Sequence, residues 1–205
     1  MSANKERVKK YYNEVSNNYN NIFEKGWLSR ERDKERNLLF SLLMPEPGES
    51  ILDAGCGAGF DSIVLKEKGC NVYGIDFSKN MIKILESLDI KGSVEDLEDF
   101  NLNRSFDKIV CSGALEFINN LESVFKNFYS HLKKDGVIVV LIPKKNLVGL
   151  VYQLYHLIFH KIKTRLYTKS SLSKIFMTCG FKNVSFYNAS FWVYAIQLEK
   201  HANND

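Results

Sequence analysis

The sequence predicts an α/β fold in which a mostly parallel sheet is covered by helices on both faces. Short apolar runs that fit buried strands alternate along the chain with segments of helical periodicity. One run, VIVVLI at residues 137–142, is continuously apolar. This is expected of a strand buried on both faces of a parallel sheet.

The composition is that of a globular protein with a sizeable core. The chain has 205 residues, of which 45% are hydrophobic and 25% charged. We interpret the net charge of +4 as spread along the chain, so no nucleic acid partner is expected. The four cysteines form no CxxC pair, which predicts no metal site and reduced thiols in a cytoplasmic protein.

The order of elements divides one predicted domain into four parts. Two N-terminal helices are predicted over residues 4–43, and five short strands then alternate with helices. An apolar helical segment follows Pro143, and a last helix precedes two antiparallel strands. The parts are a helical cap (1–43), a cofactor-binding core (44–142), a helical lid or insertion (144–167), and a C-terminal helix with a strand hairpin (168–200).

Three glycines stand at alternate positions directly after the first predicted strand. In ILDAGCGAGF, Gly55, Gly57 and Gly59 follow Asp53 at the corner between strand and helix, where open α/β sheets bind ligands. Glycine permits positive φ and puts no Cβ between the backbone and a ligand. A tight turn alone would need one glycine, so the cluster predicts a ligand-binding turn.

A carboxylate at the end of the second strand indicates a nucleoside. Asp76 ends VYGID, 17 residues beyond Gly59, and from that strand tip it can accept both hydroxyls of a ribose. A dinucleotide-binding turn would need a third glycine where Phe60 stands. A nicotinamide-dependent oxidoreductase is therefore disfavoured.

Taken in order, the motifs resemble the class I S-adenosylmethionine-dependent methyltransferases. ILDAGCGAGF, VYGIDFSKNMI, SFDKIVCSGALEFI, LKKDGVIVVLIP and a late CGF keep the order and spacing of that family over residues 11–198. The resemblance implies a seven-stranded, mostly parallel Rossmann-like sheet with an antiparallel last strand. It also implies S-adenosylmethionine as the cofactor.

The resemblance also implies roles for single positions. Gly55 and Gly57 would hold the methionine part of the cofactor, and Asp53 would support its ammonium group. Asp76 would bind the ribose and Phe77 would lie against adenine. The whole set implied for the cofactor is Asp53, Ala54, Gly55, Cys56, Gly57, Gly59, Asp76, Phe77, Ser93, Val94, Glu95, Ser112, Ala114 and Tyr19.

Two parts of this set extend beyond the glycine turn. Residues 93–95 correspond to the family segment after the third strand that meets the adenine amino group. Ser112 and Ala114 correspond to the backbone along the methionine arm. Tyr19, like Tyr11 and Tyr12, is a candidate for a tyrosine that closes over the cofactor, and packing of the helix is the alternative.

No catalytic triad is evident, and the reaction needs none. Methyl transfer from a sulfonium is an in-line displacement, and a base is required only if the acceptor must lose a proton. Glu116 and His156 are the candidates for such a base. Packing or surface exposure is the alternative for His156 and for His160, and His131 is expected to be a cation at a helix end.

The apolar segment at residues 144–167 is expected to select the acceptor. Leu147, Val151, Leu154 and Ile158 recur on one helical face. Three interpretations stay open: a lid over an apolar acceptor, a dimer or core helix, and a membrane-surface helix. The segment is too short to span a bilayer, although a peripheral membrane contact stays possible.

We expect a methyltransferase that acts on oxygen or carbon of a small hydrophobic or aromatic metabolite, as a monomer or homodimer. Methylation of protein or RNA is one alternative. Against it, CSGALEF stands where amino-group methylators carry an Asn/Asp-Pro-Pro-aromatic signature. A non-catalytic regulatory protein that binds S-adenosylmethionine is the other alternative.

Overall fold

The structure is a computed structural model that describes residues 2–16 and 27–200. The helices are α1 (Ala3–Val15), α2 (Trp27–Leu43), α3 (Phe60–Glu67), α4 (Lys79–Ser87), α5 (Leu121–His131), α6 (Leu147–His160) and α7 (Lys169–Thr178). The strands are β1 (Ser50–Ala54), β2 (Asn71–Asp76), β3 (Lys91–Val94), β4 (Phe106–Ser112), β5 (Leu132–Pro143), β6 (Asn183–Asn188) and β7 (Val193–Glu199). A short 3-10 turn, Leu115–Phe117, follows β4.

The seven strands form one sheet in the order β3-β2-β1-β4-β5-β7-β6. Pairing is parallel from β3 to β5, and β7 runs antiparallel between β5 and β6. The predicted fold class is thereby confirmed. The chain reverses its direction of winding between β1 and β4, and such a reversal opens a crevice at the carboxyl ends of the strands.

Apolar layers fill both sides of the sheet. On one side α5 and α7 bring Phe125, Phe128 and Phe176 into a single buried cluster with the central strands. On the other side α2 contributes Leu39 and Leu43, which are fully buried against β1, β4 and β5. Because both faces are covered, the strand tips are where a ligand can reach the backbone of the sheet.

His131, at the end of α5, is a buried packing residue, so its expected role as a helix-end cation is wrong. Its Nε2 accepts the N–H of Leu102 at 3.0 Å, and its Nδ1 lies 2.8 Å from the carbonyl oxygen of Asn127. The ring also packs on Phe100. Both ring nitrogens are therefore engaged in contacts within the fold. The reason is that α5 runs directly into β5, which buries the helix end.

Candidate active site

A cavity of about 550 Å³ lies at the carboxyl ends of β1, β2 and β4. Its size is within the usual range for small-molecule sites. Residues of α1, α2 and α6 complete its walls, together with the 3-10 turn and the loop between β6 and β7. The crevice expected from the strand order is therefore a pocket that the additions to the core partly cover.

Two of the three clustered glycines line the cavity. Gly55 (φ +75°) and Gly57 (φ +50°) both adopt the left-handed conformation there. A Cβ on Gly55 would lie 2.6 Å from the Cβ of Ala114, so the turn can approach β4 only without a side chain. Gly59 lies outside the cavity lining: it precedes α3, and a Cβ there would meet Leu85 at 2.8 Å. Gly59 thus serves helix packing.

Asp76 lies at the tip of β2 and faces the cavity with both oxygens tied to backbone. Its Oδ2 accepts the N–H of Gly57 at 3.1 Å and its Oδ1 accepts the N–H of Ser78 at 2.8 Å. Burial raises the pKa of Asp76 to about 6, against the lowering effect of these two hydrogen bonds. Each carboxylate oxygen can accept a second hydrogen bond, so hydroxyl donors in the cavity find free lone pairs.

Asp53 lies beneath the glycine turn in an acidic floor. Its Oδ2 accepts the hydroxyl of Ser62 at 2.6 Å. Burial raises the pKa of Asp53, and the neighbouring Asp61 raises it further. Asp61 is itself ion-paired with Arg36, with 3.0 Å between Nε and Oδ1. The pKa of Asp53 is raised mainly by burial, and Asp53 has no ion pair of its own among the described residues, so a cationic ligand beside it would stabilise its carboxylate.

The wall beside β3 begins two residues later than the sequence indicated. Glu95, Asp96 and Leu97 line the cavity, whereas Ser93 and Val94 do not. Val94 points to solvent, and the Oγ of Ser93 is buried within the fold. The difference arises because β3 ends at Val94, and the chain turns into the cavity only after that residue.

The remaining positions implied for the cofactor divide in the same way. Phe77, Cys56, Ser112 and Ala114 line the cavity, while Ala54 is buried in β1 behind it. Gly113, which is not among the residues implied for the cofactor, also lines the cavity between Ser112 and Ala114, with φ +70° and open space where a Cβ would stand.

Helix α1 carries Tyr11 and Tyr12 to the cavity, and both also pack. The ring of Tyr11 lies 4.5 Å from that of His160, and the ring of Tyr12 lies 5.6 Å from that of Phe117. The packing alternative is thus seen for both tyrosines, and closure over the cofactor stays a prediction. Tyr19 lies outside the residues that the structure describes.

The two candidate bases are brought together where the 3-10 turn meets α6, beside Tyr152. The hydroxyl of Tyr152 donates to Oε1 of Glu116 at 3.2 Å, and the rings of Tyr152 and His156 lie 4.5 Å apart. Burial raises the pKa of Glu116 to about 7. Its Oε2 is buried and has no hydrogen-bond partner among the described residues.

His156 is a buried neutral ring at this wall. Burial lowers its pKa to about 4, and the nearby His160 lowers it further. Its Nδ1 is also without a partner in the described part of the chain. A ring that is neutral at pH 7 can accept a hydrogen bond from a ligand, but it is a weak proton acceptor compared with Glu116.

Sequence reasoning missed the charged wall that α2 contributes. Arg32, Glu35 and Arg36 face the cavity, and Glu35 is buried enough that its pKa is raised. Trp192, in the loop before β7, also lines the cavity, with its ring 5.4 Å from that of Tyr152. The only available signal was the spacing of the α2 charges at i, i+3 and i+4, which is equally typical of a solvated helix face.

Helix α6 covers part of the cavity with its polar side and not with the apolar stripe on which the lid interpretation is based. Tyr152 and His156 face inward, while the stripe of Leu147, Val151, Leu154 and Ile158 is 54–78% exposed. The orientation is fixed at Gly149, where a Cβ would lie 2.2 Å from the carbonyl oxygen of Lys144. The apolar stripe therefore faces away from the cavity.

Comparison with known proteins shows which family this chain belongs to. A family model described as "Methyltransferase domain" matches residues 27–186, which is most of the chain. This chain belongs to the methyltransferase family. The expected class I S-adenosylmethionine-dependent methyltransferase is thereby confirmed, with S-adenosylmethionine as its cofactor.

The curated relatives of this methyltransferase include O-methyltransferases as well as phosphoethanolamine N-methyltransferases of Zea mays and Arabidopsis thaliana, which are 32% and 28% identical over 130 residues. A malonyl-[acyl-carrier protein] O-methyltransferase of Bacillus cereus is 29% identical over 116 residues, which cover 52% of this chain and 43% of the relative. A ubiquinone biosynthesis O-methyltransferase of Rickettsia typhi is 25% identical over 149 residues, which cover 68% of this chain and 61% of the relative. The methyltransferase thus spans less than two thirds of either relative.

A solved structure matches almost from end to end. The magnesium protoporphyrin IX methyltransferase of Synechocystis, crystallised with bound S-adenosylhomocysteine, superposes with a TM-score of 0.73 at 19% identity. The match covers 96% of the methyltransferase chain and 99% of the other. At this identity the similarity is one of fold.

Proposed function

We propose that this methyltransferase transfers the methyl group of S-adenosylmethionine to a hydroxyl of a small aromatic or hydrophobic molecule, with Glu116 as the base. The observation that carries the proposal is the Glu116 carboxyl, which is buried at the cavity wall. One of its oxygens is held by Tyr152, and the other is without a partner among the described residues. Leaving a buried carboxylate oxygen unpaired is costly, so a donor from the acceptor is the expected partner.

In this proposal the cofactor lies at the strand tips, which we call the cofactor side of the cavity. The backbone of Gly55, Gly57 and Gly113 faces this space, and the acidic floor at Asp53 suits the positive charges of the ammonium and sulfonium groups. Asp76 is positioned to accept the ribose hydroxyls. Glu95, which starts the wall beyond β3, is placed toward the adenine end.

The opposite wall is the acceptor side, defined by Glu116, Tyr152, His156, Trp192 and Glu35. The cofactor supplies a methyl group that is already activated on sulfur. The acceptor side then has to hold the hydroxyl in line, exclude water and remove a proton. The aromatic rings of Tyr152 and Trp192 offer faces for a planar or apolar acceptor.

Proton removal is assigned to Oε2 of Glu116. A pKa of about 7 places this carboxyl where it is half deprotonated at neutral pH and still basic enough to accept a proton. Tyr152 holds the other oxygen, which fixes the rotation of the carboxyl group. Neutral His156 is left to accept a second hydrogen bond from the acceptor. The relatives include both O- and N-methyltransferases, so the choice of oxygen as the acceptor atom rests on the Glu116 carboxyl rather than on similarity.

The test combines an acceptor search with one substitution. The purified chain is incubated with methyl-labelled cofactor and a fractionated metabolite extract, followed by a panel of phenols and carboxylic acids. With any acceptor found, Glu116→Gln should lower kcat by about 10²–10³-fold and leave the cofactor Kd unchanged, since only proton transfer is removed. Glu122→Gln, at an exposed position on α5, is the matched control.

Three results would contradict the proposal. Full activity of Glu116→Gln would show that Glu116 is not the base. Cofactor binding without turnover of any extract fraction would favour the regulatory alternative. Label that appears in protein or RNA would show a macromolecular acceptor.

A further inference from the structure

Helix α6 differs from an ordinary surface helix because its polar side chains face the protein and its apolar side chains face solvent. Its inward side carries the polar residues Gln153 and His156. The side-chain amide of Gln153 donates to the carbonyl oxygen of Thr164. Its outward side is apolar over more than half of the helix circumference. The exposed residues are Leu147, Val148, Leu150, Val151, Leu154, Tyr155, Leu157, Ile158 and Phe159. We call these nine the apolar face, and a continuous exposed patch of this kind marks an interaction surface.

The apolar face lies in the most basic part of the chain. Residues 136–198 contain eight lysines and arginines and no aspartate or glutamate, whereas the rest of the sequence has 20 basic and 24 acidic residues. The positive excess is therefore not spread along the chain, and that interpretation was wrong. Exposed Lys145 precedes α6, and exposed Lys161, Lys163 and Arg165 follow it, so both ends of the apolar face are basic.

A second cavity, of about 460 Å³, adjoins the apolar face. Lys145, Lys163 and Arg165 line it without any acidic residue, and none of the three forms an ion pair within residues 2–16 and 27–200. Thr164 is 3% exposed and lines the same cavity, and its Oγ1 has no partner among the described residues. Three cations beside a buried hydroxyl that lacks a partner fit a phosphate group.

The second cavity and the apolar face meet at Leu150, which belongs to both. We propose that together they form a docking surface for an anionic phospholipid bilayer. The apolar face would enter the boundary between headgroups and acyl chains, and the basic cavity would take a lipid phosphate. No described helix is both long and apolar enough to cross a membrane, so the contact is with one bilayer surface.

Charge favours this occupant over a second copy of the chain. A two-fold pairing of apolar faces would bring the cations that flank α6, namely Lys145, Lys161, Lys163 and Arg165, close to the same four residues of the second copy. Like charges at such short range oppose association. An anionic membrane supplies both the missing negative charge and the missing apolar cover. The docking surface adjoins the acceptor side, since the backbone N–H of Arg165 donates to the carbonyl oxygen of Glu116 at 2.7 Å. Vesicle binding is nevertheless measured without any assay of methyl transfer, so the proposal can fail independently of the proposed function.

The test is flotation of the purified chain with vesicles. We expect binding to vesicles of phosphatidylcholine mixed with phosphatidylglycerol, little binding to phosphatidylcholine alone, and weaker binding as salt rises. Lys145→Gln with Lys163→Gln and Arg165→Gln should weaken partitioning by roughly 100-fold, at about fivefold for each charge. Leu154→Gln with Ile158→Gln should weaken it by about tenfold or more.

Matched controls separate this surface from general adsorption. Lys68→Gln with Lys83→Gln and Lys134→Gln removes the same charge from exposed sites elsewhere, and Met177→Gln removes an exposed apolar side chain from α7. Both control variants should bind as the parent does. Equal loss in the lysine control would overturn the proposal.

Two further results would also overturn it. If the variant with both Leu154→Gln and Ile158→Gln still binds vesicles as the parent does, the contact is electrostatic adsorption alone and the apolar face does not enter the bilayer. A concentration-dependent dimer in sedimentation that this same variant abolishes, without vesicle binding by the parent, would identify a second copy as the occupant.

Discussion

The two sides of the cavity are built in different ways. The cofactor side comes from short segments that each follow a strand of the sheet, such as residues 55–57 after β1 and Asp76 at the end of β2. The acceptor side is assembled from α2, the 3-10 turn, α6 and the loop before β7, which are distant in sequence. The first depends on backbone geometry at strand tips, and the second depends on how separate additions pack. Substitutions should therefore act on the two sides by different mechanisms.

The largest effect is expected at the glycine turn. Gly57→Val should weaken cofactor binding by more than about 100-fold, because a branched side chain would occupy the cavity where the backbone faces it. Isothermal titration calorimetry with S-adenosylhomocysteine measures this, and circular dichroism checks that the fold is kept.

Gly48→Val is the control for backbone strain. Gly48 has φ +87°, and nothing lies within 4 Å of the position of its Cβ, so the variant carries the conformational strain without touching the cavity. Cofactor affinity should stay at the parent value. If Gly57→Val still binds normally, the turn does not approach the ligand, and the cofactor side has been assigned to the wrong place.

A smaller loss is expected from the carboxylate on the same side. Asp76→Ala should weaken cofactor binding by about 10–100-fold, as for the loss of charge-assisted hydrogen bonds. The fully exposed carboxylate Asp89 gives the control Asp89→Ala, which should bind as the parent does. Unchanged affinity of Asp76→Ala by calorimetry would count against the ribose assignment.

The cofactor side could be foreseen because its signals are local. Positive φ at a strand end demands glycine, and a carboxylate at the next strand tip follows from the spacing of Asp76 beyond the turn. The errors on this side are also local. Gly59 and Ser93 belong to packing, because a pattern shows which segment turns toward a ligand but not which residue of the segment does so.

The acceptor side could not be foreseen in the same way. Helix α6 is apolar on most of its surface, so periodicity alone does not reveal which side packs inward. Close contact at Gly149 and the hydrogen bond from Gln153 decide that question, and both depend on tertiary structure. In the sequence, Glu35 and Arg36 of α2 are typical of a solvated helix face. Only the packing of α2 against β5 and β7 shows that they face the cavity. The four-part division of the domain stays a prediction.

Acidity should affect the acceptor side before the cofactor side. If Glu116 accepts the proton, only its deprotonated form is active, and its raised pKa puts that form at and above about pH 7. At saturating cofactor, kcat should fall by about tenfold for each pH unit well below 7 and level off above it. Glu116→Gln should lose this inflection. A profile that stays flat from pH 5 to 8 would exclude a carboxyl base of this pKa.

The smallest effect is expected at the hydrogen bond that holds Glu116. Tyr152→Phe removes the donor that lowers the pKa of Glu116, so the inflection should move to higher pH and kcat at pH 7 should fall by about threefold. Cofactor affinity should be unchanged, because Tyr152 lies on the acceptor side. Tyr155→Phe, on the exposed face of the same helix, controls for the loss of a hydroxyl. A loss of activity without a shift of the pH profile would mean that Tyr152 only packs against the acceptor, and a loss of cofactor affinity would mean that the two sides are not separate.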